Sequence, residues 1–92
     1  MKGQLTIIDS SALEIAIFAT ESRGTVSVDK YRLHYMNNAG QMLFRYDNAP
    51  HHPEIESHPH HKHAPDKINP SNMPSMRDIL NEISAIIVGI KI

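Results

Sequence analysis

Residues Lys30 to Asp47 read KYRLHYMNNAGQMLFRYD. Asn37-Asn38-Ala39-Gly40 lies in the middle, and Asn and Gly tolerate the positive φ that a tight turn demands. On either side apolar and polar residues alternate, so the stretch predicts a β-hairpin with one buried face. Closing NNAG as a four-residue loop opposes Tyr35 to Met42, Leu33 to Phe44 and Tyr31 to Tyr46, which makes one apolar face. The other face then carries Lys30, Arg32, His34, Leu43, Arg45 and Asp47, with Lys30 opposite Asp47 and Arg32 opposite Arg45. Two arginines side by side repel unless an anion lies between them. A slip of one residue would set Leu33 against Arg45 and lose the apolar match, so the pattern specifies its register strongly.

Working outward, residues 5–20 (LTIIDSSALEIAIFAT) read as two strands around Asp9-Ser10-Ser11, with Leu13, Ile15, Ile17 and Ala19 on one parity. Residues 25–36 change phase between Val26, Val28 and Tyr31, Leu33, Tyr35, which predicts a bulge near Asp29-Lys30. Residues 48–74 hold all six prolines and are read as one long loop. From Ser75 to about Val88 the apolar residues Met76, Ile79, Leu80, Ile83, Ile87 and Ile90 form a helical stripe, and Ser75 with Asp78 is a capping signal. The expected fold is therefore α+β: a four-stranded antiparallel meander over 5–47, a His/Pro-rich loop over 48–74, and a C-terminal amphipathic helix over 75–90. The helix should pack Ile79, Leu80, Ile83 and Ile87 onto Tyr31, Leu33, Phe44 and Tyr46, all within a single domain of residues 1–92.

The chain has 92 residues, 40% of them hydrophobic and 21% charged, an ordinary globular balance. A formal charge of −1 excludes a bulk electrostatic nucleic-acid binder but leaves room for a local basic patch. There is no cysteine, which excludes disulfides and thiolate metal sites. The N-terminal apolar run is broken by Asp9, unlike a signal peptide, and ISAIIVGIKI is far too short for a membrane span. The expectation is a cytoplasmic protein without membrane contact, and a chain this short gains stability from a homodimer or a partner.

Six of the seven histidines fall between His51 and His63. Three readings compete. In the first, His51, His52, His60, His61 and His63 supply acid/base groups with Asp47 fixing a tautomer, while Arg32, Arg45, Lys62 and Asn48 bind substrate. That set suits metal-independent RNA cleavage through the 2′-hydroxyl and needs no cofactor. In the second, His58, His60, His61 and His63 bind zinc or nickel, if only adventitiously, or the loop serves a partner protein without catalysis. In the third the loop has no chemistry: Asp47-Asn48 caps a turn and the prolines only stiffen it.

At these residues a resemblance enters. FRYDNAPHHPEI, then PHHKH, then PSMRDILNEI resemble the TumE family of toxin–antitoxin systems, over about Tyr31 to Ile83. Arg45, Tyr46, Asp47, Asn48, Pro50, His51 and His52 match the first motif, and Pro59, His60, His61, Lys62 and His63 the second. His58 stands where the family pattern suggests an aromatic, and residues 5–24 show no family motif. The resemblance implies a toxin whose partner is a helix-turn-helix antitoxin. It does not decide the chemistry, and RNA as the expected target class comes from the first reading of the histidine cluster.

Overall fold

Strands β1 (Lys2–Thr6), β2 (Ala12–Ser22), β3 (Thr25–Met36), β4 (Met42–Asp47), β5 (His61–Ala64) and β6 (Lys67–Pro70) precede helix α1 (Met76–Val88). The computed structural model describes residues 1–7 and 9–89. All six strands form one antiparallel sheet in chain order. The sheet thus has six strands where the sequence suggested four, because β5 and β6 lie inside the proline-rich span. The prolines sit where a ladder tolerates them. Pro59 precedes β5, Pro65 and Asp66 make the two-residue connection to β6, and Pro70 closes an edge strand. Proline here punctuates strands without preventing them.

The expected phase change is a bulge: Phe18 pairs with Lys30 and Ala19 with Val28, leaving Asp29 over. The β2–β3 turn places Arg23 and Gly24 both at positive φ (52° and 81°), the geometry that matches strand twist. The β3–β4 register needs correction. Arg32 pairs with Asp47, Leu33 with Tyr46, His34 with Arg45 and Tyr35 with Phe44. This is a two-residue slip from the expected pairing. Part comes from the turn: the Asn37 amide carries the loop to Gln41, bonding Ala39 and Gln41 N–H groups through Oδ1. The rest comes from an irregularity between Tyr35 and Met36. An even slip keeps every side chain on its face, so the apolar side survives while each cross-strand partner changes.

That apolar side is the core. Leu13, Tyr31, Leu33, Tyr35, Phe44 and Tyr46 are buried against Ile79 and Ile83 of α1. Leu80 and Ile87, expected beneath the sheet, are exposed, as is Met76. The helix meets the sheet along the single i, i+4 line of Ile79 and Ile83, and its other apolar residues flank that line. Ile90 of the expected stripe lies outside the described residues. Ser75 and Asp78 form the capping box, and Gly89 ends the helix at φ 75°. Glu82 pins α1 to the sheet. Its carboxylate accepts from Tyr46 Oη and from Lys62 Nζ, each at 2.6 Å.

Phe44 is 1% exposed, between Tyr35 and Tyr46 at ring distances of 5.3 and 5.4 Å. Phe44→Ala should cost about 3–5 kcal/mol in urea unfolding. Leu80→Ala should cost less than about 1 kcal/mol, since that side chain already faces solvent.

Candidate functional site

Side chains alternate across a strand, so the face away from α1 collects two rows of neighbours. One row is Arg32, Asp47 and His61; the other is Glu14, His34, Arg45 and His63. The expected oppositions of Arg32 to Arg45 and Lys30 to Asp47 do not occur. Arg32 instead lies across from Asp47, so the two guanidiniums are not directly opposed across the strands, although both line one cavity.

Asp47 is 6% exposed and gathers donors around it. Its Oδ1 accepts from the Ala49 N–H at 3.0 Å and faces His61 Nε2 at 2.9 Å. Its Oδ2 accepts from Arg45 Nε at 3.0 Å and lies 3.5 Å from His63 Nε2. His61, itself buried, also places Nδ1 2.9 Å from the Pro59 carbonyl. A carbonyl only accepts, so Nδ1 carries hydrogen and Nε2 is left to face the carboxylate. Both contacts are hydrogen bonds at once only for the imidazolium–carboxylate pair, or for a neutral ring with a protonated Asp47.

The third imidazole arrives from the loop. His52 lies edge-on to His61 and His63 with ring centroids 5.3 and 5.8 Å away, and His61 and His63 are 4.7 Å apart. Glu54 Oε1 holds His52 Nδ1 at 3.1 Å. Burial holds the His63 pKa below the ordinary value, reinforced by Arg45 and opposed by Asp47, so the ring keeps a free lone pair. Arg45 gives its Nε to Asp47, and its terminal amino groups appear in no other hydrogen bond among the described residues. These groups border an open cavity of about 690 Å³ that Arg32 and exposed His51 also line.

The other sequence candidates go elsewhere. His60 stacks on Tyr31 at 5.7 Å, its Nδ1 2.9 Å from the phenol oxygen. Burial and the Asp47 charge push that phenol up to about 12, so it stays neutral. His58 is exposed. Lys62 lies on the helix side, bound to Glu82 and set over the Tyr46 ring, because it alternates with His61 and His63. Asn48 is committed to β3: its Oδ1 accepts from Tyr31 N–H and its Nδ2 donates to Asp29 O, bridging the bulge. Hence His58, His60, His61 and His63 do not converge; among the described residues the converging ligand atoms belong to His52, His61 and His63. Glu54 and the Pro59 carbonyl went unnoticed in the sequence. The signal for Glu54 was its place two residues after His52.

Beside the cavity, His34 has a buried Nε2 with no partner among the described residues, while its Nδ1 meets Glu14 at 3.2 Å and Arg32 at 3.3 Å. Burial, then the Arg32 charge, lowers its pKa, against the pull of Glu14. Below the ordinary value of 6.5 the unfolded chain therefore binds a proton that the native ring refuses. This contribution is fully present above 6.5 and is lost as pH falls toward the depressed native value. Unfolding free energy should drop over that window, and His34→Gln should flatten the drop. Separately, Asp47→Ala should cost about 3–5 kcal/mol, because it strands His61, Arg45 and the Ala49 N–H together.

A family model described as toxin TumE matches residues 1–90, so the match includes the N-terminal strands where no motif was visible. No curated protein matches the chain, and no solved structure does.

Proposed function

The chain belongs to the TumE toxin family, and from that premise we propose that it disables RNA in the cavity over Asp47, by cleavage that needs no metal. A toxin of such a pair has an antitoxin partner; we propose a helix-turn-helix protein, with both acting in the cytoplasm. Among the described residues no helix is long and apolar enough to cross a membrane.

The observation that carries the reading is two imidazoles, His52 and His63, bordering one cavity with two guanidiniums, Arg32 and Arg45. RNA cleavage through the 2′-hydroxyl needs a base, an acid and a cation for the phosphate. His63 suits the base, since burial and Arg45 favour its neutral form. It takes the proton of the 2′-hydroxyl as O2′ bonds to phosphorus. The bond from phosphorus to O5′ breaks, and O5′ takes a proton from the His52 imidazolium. The products are a 2′,3′-cyclic phosphate and a 5′-hydroxyl end. Arg45 and Arg32 bind the phosphoryl oxygens. Asp47 and His61, largely buried at the cavity wall, act as positioning residues that hold Arg45 and His63 in place. Exposed His51 contacts the RNA at the rim.

The test is inducible expression of wild type and variants without antitoxin, with growth, RNA integrity and circular dichroism measured together. His63→Ala and His52→Ala should lower RNA cleavage by about 10²–10⁴-fold and restore growth while the fold persists. Arg45→Lys should remain impaired, because an ammonium cannot make the two-pronged contact of a guanidinium. Cleavage by the purified chain should survive chelator. Undiminished toxicity in both folded histidine variants would remove this cavity from the reaction.

A further inference from the structure

The three imidazoles over Asp47 are arranged for more than proton transfer. One ring nitrogen from each of His52, His61 and His63 lies within 4.8 Å of the other two. Two of the rings are also held from behind. His61 gives Nδ1 to the Pro59 carbonyl, and His52 Nδ1 is bound to the Glu54 carboxylate. A carbonyl or carboxylate on the far nitrogen is the arrangement that fixes the tautomer of a metal-ligating histidine and raises its basicity. In both rings the far nitrogen is Nδ1, so Nε2 is the ligand nitrogen; in His61 a cation would replace the proton that Nε2 shares with Asp47 Oδ1 at 2.9 Å. Asp47 supplies oxygen beside the same cluster, 2.9 Å from His61 and 3.5 Å from His63.

We propose that His52, His61 and His63, with Asp47 as an oxygen donor, form a binding site for one divalent cation of the zinc class. The donor set selects the class. Three imidazole nitrogens and one carboxylate suit zinc, cobalt or nickel, whereas magnesium and calcium want oxygen ligands throughout. The cluster spans two segments. His61 and His63 share a face of β5, and His52 reaches over from the loop, so a bound cation ties the loop to the sheet. The spacing is wider than that of nitrogens around one tetrahedral ion, roughly 3.3–3.5 Å apart for bonds of about 2.0–2.1 Å. Loading therefore draws His52 inward, which a ring on an irregular segment can do. Resting on the reaction proposed above, one further consequence follows. A cation here takes up the lone pair of His63 and blocks His52, so it silences cleavage and does not support it.

The experiment is calorimetric titration of zinc into the full metal-free chain, repeated with cobalt to record the visible spectrum. Wild type should bind one equivalent and give the intense bands of a four-coordinate cobalt centre. His52→Ala and His63→Ala should each weaken binding by at least about 100-fold, and Glu54→Gln by about 10-fold. His51→Ala and His58→Ala should bind as wild type does, and circular dichroism confirms that all five variants fold. Several weak equivalents, lost equally in the His51 and His58 variants, would reveal adventitious binding by a histidine-rich segment and overturn the site. A folded wild type that binds no cation, yet cleaves RNA in chelator, would overturn the site and leave the reaction standing. One equivalent bound at this cluster with no loss of cleavage would keep the site and remove the acid/base roles of His52 and His63.

Discussion

A carboxylate buried at the end of a strand needs compensation, and Asp47 imposes that need on everything around it. It is 6% exposed and stands where β4 gives way to the loop. Its two oxygens are met by a backbone N–H, a guanidinium and two imidazoles. These donors come from three parts of the chain: the loop just after it, its own strand, and β5, which supplies both imidazoles. Desolvating an unpaired charge would cost several kcal/mol, so the pairing of β4 with β5 and the path of the loop are tied to this one group.

The sheet then separates two jobs by alternation. On one face Tyr35, Phe44 and Tyr46 build the core, and Glu82 fastens α1 through Tyr46 and Lys62. On the other, Arg32, Asp47, His61, Arg45 and His63 form rows open to the cavity. Strand β5 serves both within three residues: His61 and His63 face the site while Lys62 anchors the helix. Replacing Lys62 would therefore disturb helix docking more than the site.

Stability in this protein rests on few side chains. Among the described residues eight hydrophobic side chains are buried, and the helix contributes two of them. Beyond the bulge at Asp29, the β2–β3 hairpin from Phe18 to Lys30 is exposed throughout. A short chain has too little interior to cover all its apolar surface. Phe18 shows how such a surface is softened, with Lys2 and Lys30 ammonium groups 5.7 and 5.3 Å from its ring.

Periodicity alone determined the elements it could reach. The alternation from Tyr31 to Tyr46 set the hairpin and its buried face, the phase change set the bulge, and Ser75 with Asp78 set the helix start, since each depends only on near neighbours. Parity survived the two-residue slip because even shifts leave faces unchanged, but the partners of Arg32, Arg45 and Asp47 followed from turn length and an irregular step that no pattern encodes. Strands β5 and β6 were hidden because four-residue strands between prolines lack enough repeats to show a period. Once HKHA is a strand, His61 and His63 must share a face and Lys62 must leave it. The meeting of His52 with that pair, and the loss of His60 to Tyr31, were decided by tertiary structure alone. A loop side chain goes where the chain's three-dimensional path carries it, and neighbouring residues in sequence place no constraint on which distant ring it will meet.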